Sequence, residues 1–257
     1  MTLPSVTILI ANYNDEEYLD IAIESAVNQD YPGPLNICIV DDGSTDGSWG
    51  IIEAYINSPA KDTAQVDLDV TFSQNDGGRY GETKVYAIKN ENSGPSEARN
   101  VGIRYMIEKT DIFAILDSDD EMYENKVSEC VPVFERGEGM IGVVYGDYDT
   151  FHTNTRKIIR EYRLTQECIV HSGSLISKKA LEEVVEETGY YDKTMRTCED
   201  YDLWMRISEK FIIAHVPKSL TKVRVTGENS SFIINQEVWQ QNWKRVMEKM
   251  QARINAK

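Results

Sequence analysis

The chain has 257 residues, 41% of them hydrophobic, which suits one large α/β domain or two modest ones with an ordinary core. Its 43 acidic side chains outnumber 27 basic ones, and a surface with a formal net charge of −16 repels nucleic acid and anionic lipid, making both poor main partners. No apolar stretch reaches the ~20 residues of a membrane span, and MTLPSVTILIANYN lacks the basic segment and cleavage site of a signal peptide, so the expected location is the cytoplasm.

Residues 6–11 form an apolar run that reads as a buried strand, followed by a polar turn, Asn12, Tyr13 and Asn14. Over 17–28, Leu19, Ala22, Ile23, Ala26 and Val27 recur at helical spacing. After Pro32-Gly33-Pro34, residues 35–40 make a second strand ending in Asp41 and Asp42, with Gly43 suited to a sharp turn and Asp46 placed to cap a helix over 48–57. This alternation argues for a parallel sheet. Between 58 and 82 the pattern loosens, and Val66, Leu68 and Val70 ahead of Asn75-Asp76-Gly77-Gly78 suggest an inserted hairpin. A strand over 85–88 and the turn Asn92-Ser93-Gly94 lead to Pro95, well placed in a first helical turn, and a helix over 96–108 with Arg99 and Asn100 near its start.

The stretch DIFAILDSDD, 111–120, follows. Five apolar residues ending at once in carboxylates read as a buried parallel strand. In extended chain, Asp117 and Asp119 would point the same way. Two such carboxylates repel unless a cation separates them, and a hard divalent ion with oxygen ligands, Mg²⁺ or Mn²⁺, fits best. Open α/β sheets bind ligands at this carboxyl edge. Neither G-x-G-x-x-G nor G-x-x-x-x-G-K-[ST] is present, so dinucleotide dehydrogenases and P-loop enzymes are unsupported.

The second half is less regular. Residues 124–135 read as a helix, 143–151 and 158–162 as a hairpin, and 175–176 as a short apolar piece before a helix over 178–187. A second acidic pair, Glu199 and Asp200, opens a helix over 199–209, where acids complement the helix dipole in any case. His152, His171 and His215 stand apart and read as ordinary residues. Cys38, Cys130, Cys168 and Cys198 form no C-x-x-C pair and read as reduced thiols. Residues 231–257 carry Trp239, Trp243, Val246 and Met250 at near-helical spacing, with Lys244, Arg245, Lys249 and Arg253 as a local basic excess.

In order, VTILIANYN, IVDDGSTD, SGPSEARNVGI, ILDSDD and CEDYDLW resemble the family 2 glycosyltransferases with a GT-A fold, over roughly residues 4–225. The resemblance implies a Rossmann-like, mainly parallel central sheet flanked by helices, with a smaller acceptor-side region. Residues 1–120 would be the nucleotide-sugar-binding half, 121–225 the acceptor-binding and catalytic half of the same domain, and 226–257 a C-terminal helical tail. The donor would be a nucleotide sugar, most often a uridine diphosphate sugar. Ala11 and Tyr13 match positions that meet the base, Asp42 the acid that contacts the uridine, and Arg99 a basic position near the nucleotide; Asp117 and Ser118 complete the donor set. Asp117 and Asp119 match the D-x-D pair that holds the metal and the diphosphate, with Asp120 beside them. Asp200 matches the general base of the inverting members, with Glu199 next to it, and His171, Gly173, Ser174 and Arg224 would lie toward a carbohydrate or lipid-linked acceptor.

The resemblance is incomplete. Gln240-Gln241-Asn242-Trp243 does not match the Q-x-x-R-W motif of the membrane-embedded polymer synthases, which favours transfer of a single sugar, in polysaccharide assembly. Two other functions compete: a catalytically silent nucleotide-sugar-binding module and a nucleotidyltransferase. For the tail, one expectation is a helix folded back on its own domain. The other is a docking surface for a second copy or for an anionic membrane at its periphery.

Overall fold

The computed structural model describes residues 2–56, 65–66, 70–71, 83–152, 158–162, 169–226 and 236–256. The apolar runs become strands of one sheet: β1 Val6–Asn12, β2 Leu35–Asp41, β5 Lys84–Lys89 and β6 Ile112–Asp117 in the first half. The second half supplies β7 Glu121–Met122, β8 Ile141–His152, β9 Ile158–Tyr162, β10 Ser174–Ser177 and β11 Ile212–Val225. Their order is β5-β2-β1-β6-β10-β8-β11-β7, with β9 paired to β8. The first four strands are parallel. β10 then runs antiparallel to both β6 and β8, and β8 and β11 run parallel to each other. One sheet thus crosses both halves of the chain.

Register decides where the acids fall. Asn12 pairs with Asp41, Ala11 with Asp117, and Asp41 with Lys89, so the carboxyl ends of the four parallel strands share one edge. Side chains alternate across a strand, and β1 shows the consequence. Val6, Ile8 and Ile10 face a core built with helices α1 (Leu19–Val27), α2 (Ser48–Ile56) and α4 (Lys126–Arg136). Leu9 faces a second core with α3 (Pro95–Met106), α5 (Lys178–Val184) and α6 (Glu199–Ser208). Helices on both faces of a largely parallel sheet bury strands on both sides, hence the unbroken apolar runs.

Helix α3 approaches the sheet closely at Gly102. A Cβ there would meet Leu9 Cδ1 well inside contact distance and Val40 Cγ2 at 3.0 Å. Gly102→Ala is expected to lower stability by ~1–3 kcal/mol through overpacking, read as a lower urea midpoint at unchanged slope; an unchanged midpoint would mean that the helix can back away freely.

Several boundaries differ from the sequence reading. The helix expected over 178–187 stops at Val184. The 14-residue strand β11 is not foreseen at all, because Pro217 and Lys218 interrupt its alternation and the register shifts between Val216 and Thr221. In the 58–82 segment, β3 (Gln65–Val66) and β4 (Val70–Thr71) pair antiparallel as a two-residue ladder; the rest of that expected hairpin lies outside the described residues, as do 231–235 of the tail and Cys168.

The tail helix, α7, spans Gln236–Asn255 and packs back on α6. Val246 is buried with Met195 and Cys198. Lys249 Nζ reaches Asp192 Oδ2 at 3.0 Å, Glu186 Oε2 at 2.9 Å and Asp202 Oδ1 at 3.0 Å, while Arg245 pairs with Asp192 and Arg253 with Glu209. Of the four tail bases read as a local basic excess, three are therefore committed to acids of the domain and the fourth, Lys244, pairs with Glu248 of its own helix, the arrangement of the fold-back expectation. Among the described residues, no helix is long and apolar enough to cross a membrane.

Candidate active site

The loops at the carboxyl edge are tied together by short polar side chains. Asn12 Nδ2 donates to Asp41 Oδ1 (2.8 Å) and to Ser44 Oγ (3.1 Å), and Asn14 Oδ1 accepts from Thr45 N (2.7 Å). Asn14 adopts φ +56°, a left-handed conformation that asparagine tolerates better than most residues. Asp42 is 3% exposed, and its carboxylate accepts from Asn90 Nδ2, Ser93 N, Ser93 Oγ and Gly94 N at 2.7–3.1 Å. Asp42 thereby fixes the turn that starts α3. Ala11 lies half-buried at the end of β1, and Tyr13 is exposed beyond it.

The acid turn follows β6. The extended run expected through Asp119 is broken: Asp120 N donates to Asp117 O (3.1 Å), so the chain turns at once after the strand. Asp117 Oδ1 accepts from Arg99 Nη2 (2.8 Å) and lies 3.6 Å from His171 Nδ1. Burial would raise its pKa, but the Arg99 guanidinium and His171 outweigh this and hold the carboxyl well below the usual range. Ser118 Oγ donates to Asp15 Oδ2. Asp120 is driven the other way, first by burial and then by Asp119 and Asp117. These acids crowd one another.

Arg224 braces the turn from behind. It is 2% exposed, with its N–H on Asp120 Oδ1 (2.9 Å), Nε on Asp119 O (2.7 Å) and Nη2 on Glu121 Oε1 (3.0 Å). Its guanidinium lies 4.6 Å from the ring centroids of both Tyr18 and Phe151. Gly173 and Ser174 are also buried, Ser174 Oγ donating to His171 O (2.7 Å). Of the four residues expected toward an acceptor, His171 reaches the Asp117 carboxylate and Arg224 those of Asp120 and Glu121.

The second acidic pair comes to the first. Cys198, at φ +61° and ψ +14°, takes the left-handed conformation just before α6, a strained geometry for a residue with a Cβ. It sets the angle at which Glu199 and Asp200 enter. Glu199 Oε1 accepts from Arg99 Nη1 (3.0 Å), so one guanidinium joins Asp117 to Glu199. Burial would lower the Arg99 pKa, but the two carboxylates more than offset it and the group stays charged. Asp200 Oδ1 accepts from Tyr201 N (2.7 Å), and its pKa is raised, first by burial and then by Glu199. His171 Nε2 meets Tyr191 OH at 2.8 Å, and Asn100 clamps both the Tyr191 N–H and its carbonyl at 2.8 Å. Arg99 Nε and His171 Nδ1 are buried without hydrogen-bond partners among the described residues. Unsatisfied groups of this kind suit a site that has yet to receive a polar ligand.

Asp15, Asn100, Lys126, Ser172 and Tyr191 all support this site without having been assigned to it from sequence. Lys126 is fully buried, its ammonium donating to Ser172 O and to Thr221 Oγ1 (3.0 Å). Burial lowers its pKa to about 8, although Cys130, Asp120 and Asp117 pull it up. Ser172 Oγ in turn accepts from Asp117 N (2.9 Å). A lysine in the first turn of a mixed-polarity helix gives no local sign of such burial.

Among the described residues, no group of three or more His, Cys, Asp or Glu side chains forms a ready metal cage. The acid turn still fits a hard cation by its chemistry: crowded carboxylate oxygens, which Mg²⁺ binds singly or in pairs while taking further ligands from phosphates and water.

The family model described as Glycosyl transferase family 2 matches residues 7–185. Chondroitin synthase of Escherichia coli is 26% identical over 271 residues, covering 99% of this chain and 34% of the relative. The minor teichoic acid biosynthesis protein GgaA of Bacillus subtilis is 32% identical over 130 residues, 50% of this chain and 24% of the relative. An uncharacterized glycosyltransferase of Rickettsia felis is 26% identical over 89% of this chain and 35% of its own length. The chain thus spans about a third or less of each of these three relatives. Among solved structures, S. aureus TarS 1-349 in complex with UDP-GlcNAc superposes with a TM-score of 0.66 at 17% identity, covering 96% of this chain and 65% of that one. That likeness shows the shared fold, the GT-A fold expected from the order of the motifs.

Proposed function

Because the chain belongs to glycosyl transferase family 2, we propose that it moves one sugar from a uridine diphosphate sugar to an acceptor hydroxyl with inversion, Asp200 serving as base. The observation that carries this reading is the Arg99 bridge. It holds Asp117, at the strand edge suited to a diphosphate, and Glu199, next to the base, within one side chain of each other. Structures of TarS with UDP and with UDP-GlcNAc support the donor class.

In this reading residues 1–120 bind the donor and 121–225 present the acceptor and the base. Asp119, with Asp117 and Asp120 beside it, would hold Mg²⁺ or Mn²⁺, which when bound neutralises charge growing on the departing diphosphate. Asp200 accepts the proton of the attacking hydroxyl. The new C–O bond forms on the face of the sugar opposite the diphosphate, which leaves with the electrons of the broken bond as the nucleoside diphosphate. A direct displacement needs only this one base. Arg99 keeps Glu199 paired, and the raised pKa of Asp200 makes it a better proton acceptor than an ordinary aspartate.

Incubation with a panel of nucleotide sugars, with and without chelator, tests the reading. Release of UDP that depends on divalent metal is expected. Pyrophosphate as product would instead identify a nucleotidyltransferase, and binding without any turnover a silent module.

A further inference from the structure

We infer that Tyr201, Trp243 and Trp239 form an acceptor subsite that stacks a pyranose ring one or two sugar units from the hydroxyl being glycosylated, an inference that rests on the transferase reading above.

The base sits in the chain between two surroundings. Glu199, before it, pairs with Arg99 on the donor side; Tyr201, after it, packs against the tail helix. The Tyr201 ring lies 4.5 Å from that of Trp243, and Trp243 stacks on Trp239 at 5.4 Å with the planes only 13° apart. Two ring-to-ring steps thus lead from the neighbour of Asp200 to Trp239, a distance on the scale of one or two sugars. Trp239 is 43% exposed.

The fold does not need this exposure. Val246 and the ion pairs of Arg245, Lys249 and Arg253 already fix α7 on the domain. An indole left open beside a second, parallel indole offers a flat apolar face with a polar edge, which matches the C–H face of a pyranose. Gln240, three residues before Trp243 on the helix, is exposed, and its amide can meet sugar hydroxyls. A saccharide is uncharged, so the net charge of −16 does not oppose it as it would an anionic lipid surface.

The test uses the full chain and tryptophan emission, titrated with methyl glycosides and disaccharides of glucose, galactose and N-acetylglucosamine. At least one is expected to give a saturable change in the millimolar range. In Trp239→Ala that affinity falls about tenfold or more, Trp239→Phe restores part of it, and melting temperature and calorimetric affinity for UDP-GlcNAc stay unchanged. If no saccharide alters the emission, or Trp239→Ala binds as wild type does, the subsite is overturned. It is also overturned if light scattering shows an oligomer that Trp239→Ala disperses, because the ledge then pairs copies of the chain. Intact binding of UDP-GlcNAc in those cases confines the failure to the ledge; a wild-type protein that binds neither UDP nor any nucleotide sugar of the panel would remove the transferase reading as well.

Discussion

Asp200→Asn is expected to lower the transfer rate by ~10²–10⁴-fold, or about 3–5 kcal/mol of barrier, while donor affinity stays near wild type. The competing account has this acid serve α6, whose dipole it complements from the first turn. Helix α6 has Cys198 as its N-cap with no side-chain capping hydrogen bond, and among the described residues the Asp200 carboxylate accepts from the adjacent Tyr201 N–H alone, a bond that an asparagine oxygen can keep. The substitution therefore takes little from the fold. Its sign on stability can be worked out. Burial and Glu199 raise the folded pKa above the ordinary 3.8, so the ionised form is disfavoured in the folded state at neutral pH. An uncharged asparagine relieves that cost, and the melting temperature should hold or rise. The same shift fixes the direction of the pH profile. The base works only when deprotonated, so activity of the wild type should decline with acid at a pH above that of an ordinary aspartate. Full activity in Asp200→Asn would sink the assignment. Asp202 could not then take over, because it is fully buried between Arg206 (2.9 Å) and Lys249 (3.0 Å), and Glu199 would be next.

Asp119→Ala is expected to abolish the metal-dependent part of donor binding and leave the fold intact. Arg224 holds the turn through the Asp119 carbonyl and the Asp120 carboxylate, and the substitution leaves both groups in place. Its loss removes negative charge from a site with few protein ligands, where each carboxylate counts heavily. Calorimetric titration with UDP-GlcNAc, in Mg²⁺ or Mn²⁺ and again with chelator, reads the outcome. Wild-type affinity should collapse with chelator, and that of Asp119→Ala should be low in both conditions. A donor affinity indifferent to chelator and to the substitution would remove the metal from this turn. The burial of Asp117 against Arg99 gives the comparison. Asp117→Ala should also reduce stability, because it leaves a buried guanidinium with Glu199 as its one remaining carboxylate partner at salt-bridge distance among the described residues, whereas Asp119→Ala should not.

By itself the sequence determined the strands and helices of the first half and the chemistry at their ends. Runs such as 112–116 are buried on both faces, so hydrophobicity alone announces them as inner strands, and their parallel order brings Asn12, Asp41 and Asp117 to one edge. The order of acidic motifs also carried the family. Only the tertiary structure decided how those acids are held. Arg99 reaches Asp117 and Glu199, 18 and 100 residues away; His171 meets Asp117 across 54 positions; Arg224 grips a turn more than a hundred residues before it. Periodicity reports which face of one element is buried, and no more. These partnerships depend on β10 entering antiparallel beside β6 and on β11 running back past β7, choices made by the packing of the whole sheet. The same holds for Lys126, whose partners Ser172 and Thr221 come 46 and 95 residues further on. It holds too for the tail, whose bases read in the sequence as a local excess because the acids that claim them, Asp192, Glu186, Asp202 and Glu209, lie elsewhere in the chain.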